Sequence, residues 1–482
     1  MQINPRWGAA PAFWGAGLTY LGWASYYPSE AVSEARDAVD AFAGVRADRT
    51  DIALVTIDPP GALDLDQALY LERTPTGFLL QYAIADVGAV VAPDGALARE
   101  SLSRGQTFYL PDGTVPLHPE VLSEGSASLL PDLERPAVLW TIECDESAEP
   151  QQVSVRRAMV RSRARLDYAG VQADADAGRP HPSIAALPEF GRLRIEAGLG
   201  RGAIGLRLPA QTVVRDSHDR APDDAARWQL IVEPRTAADD WNEQVSLLTG
   251  MCAARIMLGG DNAEPLGLLR TMPVPPRAAI DSLRRTAAAL GLDWPADAPV
   301  GRLLAALDAD SPAALVLMSE ATSLLRGASY TVLAGDIPDV LQHSGIGAPY
   351  AHATAPLRRL GDRYVAEICL ARCAGTPVPR WATEGLTAVA DSMRRSDALA
   401  GKLERACLDL TESTILAERL GTEFDAVVVR EANGSRAAEV FIAQPPVLAK
   451  CLGAPPEGRH VRVRLITADP TTRTVTFAFP QD

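Results

Sequence analysis

Residues 54–69 read LVTIDPPGALDLDQAL, in which an apolar, strand-like run leads into a Pro/Gly turn that carries three acids. The acids are Asp58, Asp64 and Asp66. Hard divalent cations such as Mg²⁺ prefer several converging carboxylate oxygens, and phosphodiester hydrolysis uses such a cation to polarise the phosphate. The segment therefore predicts a metal site. Its composition also suits an ordinary polar turn between two strands, and that alternative stays open at this point.

The spacing of these acids is more informative than their number. Thr56-Ile57-Asp58-Pro59 is followed by Asp64 and then, two residues later, by Asp66. This order resembles the signature of the ribonuclease II/ribonuclease R family of 3′→5′ exoribonucleases, in which the run continues as Asp-x-Asp-Asp-Ala. Gln67 stands where that family has its fourth acid. The resemblance implies the family's fold, and Gln67 puts the level of activity in question.

Further blocks resemble the same family in the same order along the chain. They comprise the following segments: Tyr82–Gly88 (YAIADVG), Ser103–Pro111 (SRGQTFYLP), Pro116–Pro119 (PLHP) with Leu122-Ser123, and Tyr350–Asp362 (YAHATAPLRRLGD). In the last block, Ala355 stands where the family usually has Ser, and Leu360 where it has Tyr. The resemblance covers residues 46–482, which is nearly the whole sequence.

The resemblance and the sequence pattern predict an α+β fold with three regions. Residues 46–418 are expected to form a large mixed RNB-type catalytic domain, strand-rich from Thr50 to Glu143 and then mixed, with helices at Thr236–Leu258 and Pro276–Leu290. Short alternating strands between Glu423 and Phe479 predict a small barrel over residues 419–482. The family ends in an RNA-binding OB barrel, and we expect the same here, with at least three of its four phenylalanines in the core.

Residues 1–45 form a third, aromatic-rich region. Its rings are Trp7, Phe13, Trp14, Tyr20, Trp23, Tyr26 and Tyr27. A helix is predicted from Ser29 to Ala43, with Ser29 as N-cap. Family members usually carry two small cold-shock-type barrels ahead of the catalytic domain, so this region is expected to replace them. Pro11 and repeated glycines interrupt the apolar run, which argues against a membrane span or signal peptide.

Composition sets bounds on the compartment. The 482 residues are 47% hydrophobic, which is enough for a large core and more than one domain. The six cysteines are scattered, and only Cys369 and Cys373 are close, one helical turn apart. Two buried thiols are expected there, since a zinc site would need further ligands nearby. Few, unpatterned cysteines indicate a reducing cytoplasm.

The net charge of −15 at first argues against a polyanionic substrate, because nucleic-acid affinity usually depends on a basic surface. Net charge does not describe distribution, however, and an arginine-lined channel is compatible with an acidic exterior. A DxD-type phosphotransferase is a third reading of the acidic turn. The chain contains no Walker-type Gly-Lys-Ser/Thr run, so nothing else in the sequence supports that class.

The family resemblance implies a role for each candidate residue. Asp58, Asp64, Asp66 and Gln67 form the predicted metal set, and Asp66 and Arg358 are the predicted catalytic residues. The predicted RNA-binding residues are Tyr109, Tyr168, Glu243, Arg358, Arg359 and Glu404. Stacking on the tyrosines suits an enzyme that accepts any base. Acids of the Glu243 and Glu404 kind can accept hydrogen bonds from ribose 2′-hydroxyls.

The sequence therefore predicts a Mg²⁺-dependent, sequence-nonspecific 3′→5′ exoribonuclease that releases nucleoside 5′-monophosphates from single-stranded RNA. Mn²⁺ is an alternative cation. We expect a cytoplasmic monomer without membrane attachment. The alternative is an RNA-binding scaffold that has lost much of its catalysis through Gln67.

Overall fold

A computed structural model describes residues 27–110, 113–206, 210–215, 228–233, 235–260, 263–295, 297–308, 311–434 and 436–480. Most of the predicted aromatic region, up to Tyr26, lies outside the described residues. The strands are β1 (Ala47–Asp48), β2 (Leu54–Ile57), β3 (Gln67–Thr74), β4 (Gly77–Ala85), β5 (Phe108–Leu110), β6 (Gly113–Val115), β7 (Glu134–Cys144), β8 (Pro150–Leu166), β9 (Ala210–Arg215), β10 (Trp228–Glu233), β11 (Leu266–Thr271), β12 (Ser329–Ala334), β13 (Glu423–Arg430), β14 (Ala438–Ala443), β15 (Pro446–Leu452), β16 (His460–Asp469) and β17 (Thr474–Ala478).

The described residues also form twelve α-helices. They are α1 (Ser29–Arg36), α2 (Val87–Val90), α3 (Ala96–Arg104), α4 (Tyr168–Asp176), α5 (Leu187–Gly200), α6 (Ala237–Leu258), α7 (Arg277–Ala289), α8 (Val300–Ala306), α9 (Pro312–Ala321), α10 (Leu360–Ala374), α11 (Arg380–Glu384) and α12 (Leu386–Ala417). The two helices predicted near Thr236–Leu258 and Pro276–Leu290 are confirmed as α6 and α7. Thr236 caps α6 in a reciprocal capping box with Asp239.

The centre of the fold is a six-stranded sheet in the order β1-β8-β2-β3-β4-β7, in which the long strand β8 also pairs with β7. Alternate residues of its strands point to opposite faces. Leu69 and Tyr82 belong to a core shared with α6 and α10, whereas Ala68 and Ala83 belong to a second core shared with α1 and α3. Both faces are therefore covered, which explains why β2 and β4 are apolar at almost every position.

The sheet presents the acidic turn at one of its ends. β2 ends at Ile57 and pairs in parallel with the end of β8, and β3 begins at Gln67. All residues between these two strands are loop or turn, so Asp58, Asp64 and Asp66 lie together beyond the strand ends.

The C-terminal strands form a closed barrel in the order β13-β14-β15-β17-β16, as predicted for an OB fold. Phe424 and Phe477 are buried in its core with an edge-to-face ring contact, and Phe479 packs against it. Phe441 is half-buried. The expectation that at least three of the four rings serve the barrel core is confirmed.

Three local expectations were wrong or incomplete. The first helix runs from Ser29 only to Arg36 and follows Pro28 as its N-cap residue. It stops early because Asp40 accepts hydrogen bonds from the Phe42 N–H and from Arg46, which favours a turn. Cys369 is buried as expected, but Cys373, one turn further along the same face, is exposed because it lies at the end of α10. Among the described helices, none is long and apolar enough to cross a membrane.

Candidate active site

The backbone of the acidic turn is fixed by neighbours on three sides. The Asp58 N–H donates to the Leu166 carbonyl at the end of β8, at 3.1 Å. Arg165 donates to the Ala62 carbonyl at 2.8 Å. The Ser128 hydroxyl donates to one carbonyl in the turn at 2.6 Å and accepts from the Leu65 N–H at 3.0 Å. The turn is therefore rigid before any ligand binds.

Asp66 joins the two motifs that stand furthest apart in the sequence. It is 2% exposed and accepts a hydrogen bond from the Leu357 N–H at 2.7 Å. Its second oxygen accepts from Arg358 Nε at 3.1 Å. The Arg358 side chain is 31% exposed, so its guanidinium lies at the boundary between the buried acid and solvent. This contact places the predicted catalytic pair in one site.

The segment that carries Arg358 is held as firmly as the acidic turn. Arg359 pairs with Asp362 at 2.8 Å, and Asp362 also accepts from the Ala355 N–H at 2.7 Å. The His118 ring donates to the Pro356 carbonyl, and burial lowers the pKa of His118 to about 3. The neutral imidazole of His118 and the buried carboxylate of Asp362 thus hold the backbone of Pro356 and Ala355 in place. His352 is similarly structural, since its ring nitrogen bonds to a tyrosine hydroxyl at 2.8 Å.

Burial and mutual repulsion raise the pKa values of the acids. Burial raises the pKa of Asp66 to about 8, with Arg358 opposing this shift and Asp64 adding to it. Burial also raises the pKa of Asp58 to about 6, and Asp64 again adds to the shift. Asp64 therefore acts on both of the other acids. Carboxylates held this closely favour a bound proton or cation.

Two predicted RNA-binding tyrosines lie beside the acids. The Tyr109 hydroxyl donates to Asp64 at 3.0 Å, and burial together with Asp64 raises the pKa of Tyr109, which keeps it protonated. Tyr168 begins α4 shortly after β8, and burial, with the charge of Asp58 adding to it, raises the pKa of Tyr168 to about 12. Its hydroxyl lies 3.5 Å from the Asn242 amide. Both rings thus line the approach to the acidic turn.

The predicted acids Glu243 and Glu404 lie apart from this cluster. Glu243 is half exposed on α6 and pairs with Arg235 on the surface. Glu404 is on α12, next to a small core that this helix forms with β5 and β6, and burial raises its pKa. No hydrogen bond or ion pair among the described residues joins either glutamate to Asp58, Asp64 or Asp66. Their predicted contact with RNA stays a prediction.

The donor set suits a hard cation in its chemistry. Carboxylate oxygens are the ligands that Mg²⁺ prefers, and the Asp58 Oδ2 atom is buried without a hydrogen-bond partner. In the described part of the chain, however, no three acids, histidines or cysteines converge closely enough to form a complete metal cage. Asp66 accepts hydrogen bonds from Leu357 and Arg358, and Asp64 accepts one from Tyr109.

Sequence reasoning missed several residues that build the site. The Leu357 N–H is a backbone group and carries no sequence signal. His118 lies within the block Pro116–Pro119, and that position was the available signal, whereas Arg165 lies three residues before the predicted Tyr168 and outside the blocks. Asp86, in the block Tyr82–Gly88, is buried and pairs with Arg46 at 2.9 Å and with Arg157 at 3.1 Å. That ion-pair cluster is structural and lies outside the acidic turn.

Comparison with known proteins now decides the family. A family model described as "RNB domain" matches residues 46–372. The chain belongs to the RNB family. A second family model, described as "RNase II-type exonuclease C-terminal S1 domain", matches residues 422–479, which agrees with the barrel. The resemblance inferred from the sequence motifs is thereby confirmed.

Named relatives of this RNB protein include ribonuclease R of Escherichia coli, 32% identical over 66% of this chain and 39% of the relative. The exosome complex exonuclease RRP44 homolog A of Arabidopsis thaliana is 29% identical over 81% of this chain and 42% of the relative. The chain thus spans about two fifths of the length of these curated relatives.

Solved structures agree on the fold. The apo form of Mycoplasma genitalium RNase R superposes with a TM-score of 0.84 at 19% identity, covering 97% of this chain and 77% of the other. Yeast Ssd1, described as a pseudonuclease, superposes with a TM-score of 0.64 at 16% identity, covering 84% of this chain and 50% of the other. The same fold therefore occurs in a protein named as a non-nuclease, and function has to be argued from the site.

Proposed function

We propose that this RNB protein is a divalent-metal-dependent 3′→5′ exoribonuclease that hydrolyses single-stranded RNA to nucleoside 5′-monophosphates without sequence preference. The observation that carries the proposal is the contact of Asp66 with Leu357 and Arg358. It joins an acid from the cation-type turn to an arginine from a motif 292 residues later. Phosphodiester hydrolysis needs a cation-binding acid and a phosphate-facing cationic group in one site, and this contact supplies both.

Arg358 is the group best placed to meet a scissile phosphate. One nitrogen of its guanidinium is held by Asp66, and the side chain remains 31% exposed. Arginine offers further N–H donors in a planar fork that matches phosphate oxygens. Donors fixed in advance at the position where charge develops stabilise a transition state without reorganisation.

The three aspartates would hold the cation, with Mg²⁺ as the first candidate and Mn²⁺ as the second. When bound, this ion supplies phosphate polarisation and a hydroxide nucleophile at neutral pH. Asp58 offers its unpartnered oxygen, and Asp64 and Asp66 offer carboxylates whose repulsion the cation would relieve. Gln67 can add only a neutral carbonyl oxygen to this set.

RNA specificity is proposed to come from stacking and from backbone contacts. Tyr109 and Tyr168 lie beside the acids and present π-faces that accept any base. Arg359 has its charge balanced by Asp362 but remains 20% exposed, so it can add a phosphate contact. The C-terminal barrel is of a type that commonly binds oligonucleotides. All six cysteines are free thiols and five of them are buried, which suits action in a reducing cytoplasm.

One observation supports a second candidate, an RNA-binding scaffold with weak catalysis. Gln67 replaces a charged position in the family motif, and the described residues form no complete cage of three acids. This scaffold would retain the tyrosines and Arg358 while binding cations poorly. The two candidates differ in turnover and agree in RNA binding, so turnover is the quantity to measure.

The test uses single-stranded RNA labelled at the 5′ end or at the 3′ end, incubated with the full chain and Mg²⁺ or Mn²⁺. A 3′→5′ exonuclease shortens the 5′-labelled strand progressively and releases label from the 3′-labelled strand as a mononucleotide at once. Chromatography against 5′- and 3′-monophosphate standards identifies the product. A chelator supplies the metal-free control. Binding without degradation under every metal condition would support the scaffold instead.

A further inference from the structure

Gln67 and Asp66 reach across the site to the same turn. Gln67 Nε2 donates to the Thr354 carbonyl at 2.6 Å. Asp66, the residue before it, accepts from the Leu357 N–H at 2.7 Å. The amide orientation follows from chemistry, because a carbonyl oxygen only accepts and the opposite orientation would place two acceptors in contact. Two neighbouring residues at the start of β3 therefore hold this turn: Gln67 as a hydrogen-bond donor and Asp66 as an acceptor.

The turn at residues 354–357 is bound through each of its residues in sequence. Besides the contacts of Gln67 and Asp66, the Ala355 N–H donates to Asp362 and the Pro356 carbonyl accepts from His118. Arg358 follows directly. The position of Arg358 in the site therefore depends on a backbone in which each of these polar groups is hydrogen-bonded. Gln67 supplies the first of these hydrogen bonds, at Thr354.

We propose that Gln67 is a positioning residue whose amide ties the turn at residues 354–357 to β3, and that its function does not depend on binding the cation. This inference rests on the proposed function, because what it positions is the pair Asp66 and Arg358. A carboxylate at position 67 would present only acceptors to the Thr354 carbonyl and would lose the contact. Gln67 is then the residue type that this hydrogen bond requires, and its presence does not indicate a metal site that has lost a ligand.

The two roles of Gln67 predict opposite responses to substitution. If Gln67 were a weak metal ligand, Gln67→Glu would add charge, lower the Mg²⁺ concentration for half-maximal rate and raise activity. If it positions the turn, Gln67→Glu and Gln67→Met both lose the donor. A displacement of the reacting groups by about 1 Å costs roughly a hundredfold in rate, so we expect kcat to fall by about tenfold or more in both variants. Half-saturation by Mg²⁺ should stay within about twofold in Gln67→Met.

The decisive measurement is amide hydrogen exchange of the peptide that covers residues 353–359, made on the full chain without metal. Loss of the contact should speed exchange there by about tenfold in both variants, which corresponds to the free energy of about one hydrogen bond. Gln81→Met is the matched control. Gln81 lies on β4 of the same sheet, and its side chain accepts from Arg49 and has no hydrogen bond to the turn in the described residues. It should leave exchange in the peptide unchanged.

Unchanged exchange in both Gln67 variants would overturn the inference. So would tighter Mn²⁺ binding, together with faster RNA degradation, in Gln67→Glu. Because that variant preserves the size of the side chain, it tests the contact even if Gln67→Met loosens local packing. If the parental chain degrades no RNA, the proposed function fails, and the exchange and Mn²⁺ binding measurements still decide the role of Gln67.

Discussion

Replacing Asp66 by Asn removes one charge from the point where the two motifs meet. Asn can still accept the Leu357 N–H with its oxygen, but its NH₂ group would then face Arg358 Nε, which now lies 3.1 Å from a carboxylate oxygen. The side chain is 2% exposed, so solvent cannot replace the lost interaction. Loss of one fixed electrostatic contact to the reacting group typically costs about 3 to 4 kcal/mol, or roughly 10²- to 10³-fold in rate.

The expected result is therefore at least a hundredfold fall in the single-turnover rate of Asp66→Asn at saturating Mg²⁺. RNA affinity, measured by fluorescence anisotropy with a chelator present, should change less than about threefold, because Arg358 loses an acid and stays available to phosphate. Asp174→Asn makes the same chemical change at an exposed position on α4 and should behave like the parent. Degradation by Asp66→Asn at the parental rate would refute the assignment of the acidic turn.

Three further outcomes are expected. Tyr109→Phe removes the hydrogen bond to Asp64 and keeps the ring, so kcat should fall several-fold with RNA affinity nearly unchanged, whereas Tyr109→Ala should also weaken RNA binding by about 1 to 3 kcal/mol in anisotropy titrations. Asp86→Ala leaves Arg46 with Asp40 and Arg157 with Glu367 as remaining acids, and should lower the free energy of unfolding by about 1 to 3 kcal/mol in urea titrations. The raised pKa values of Asp58, about 6, and Asp66, about 8, mean that the folded chain holds protons which the unfolded chain has lost. This contribution to stability is full below pH 4 and is lost as the pH rises through 6 and 8. The melting temperature of the metal-free protein should therefore fall between pH 4 and pH 8. Because a bound cation displaces these protons, Mn²⁺ binding should release protons in calorimetry performed in two buffers. A flat melting profile from pH 5 to 8 would contradict those pKa shifts.

Local sequence patterns predicted the parts of the fold that depend on periodicity and capping. The helix α6 begins after Thr236 because that residue and Asp239 satisfy each other's backbone groups, a pattern visible in the sequence. The barrel strands alternate with period two, which is the signature of one buried face. The early end of α1 was missed because it depends on Asp40 meeting Arg46, a contact outside the helix itself.

The sequence predicted the site residues that lie in motifs. It did not predict the backbone groups that contact them or the direction of the Gln67 side chain. Asp66 and Arg358 were paired from separate blocks, and the structure places them in contact. The sequence gives no signal that the Leu357 N–H completes the environment of Asp66. Nor does residue type alone reveal that the amide of Gln67 faces the Thr354 carbonyl, because side-chain direction is set by the register of β3.

The most direct measurement is a crystal structure of the full chain with Mn²⁺ and a non-cleavable single-stranded RNA, using anomalous scattering to locate the ion. We expect a Mn²⁺ peak within ligand distance of Asp66 and of at least one of Asp58 and Asp64. We also expect the 3′-terminal phosphodiester to contact Arg358. A peak elsewhere, or RNA bound with its phosphates away from Arg358 and the acidic turn, would contradict the account.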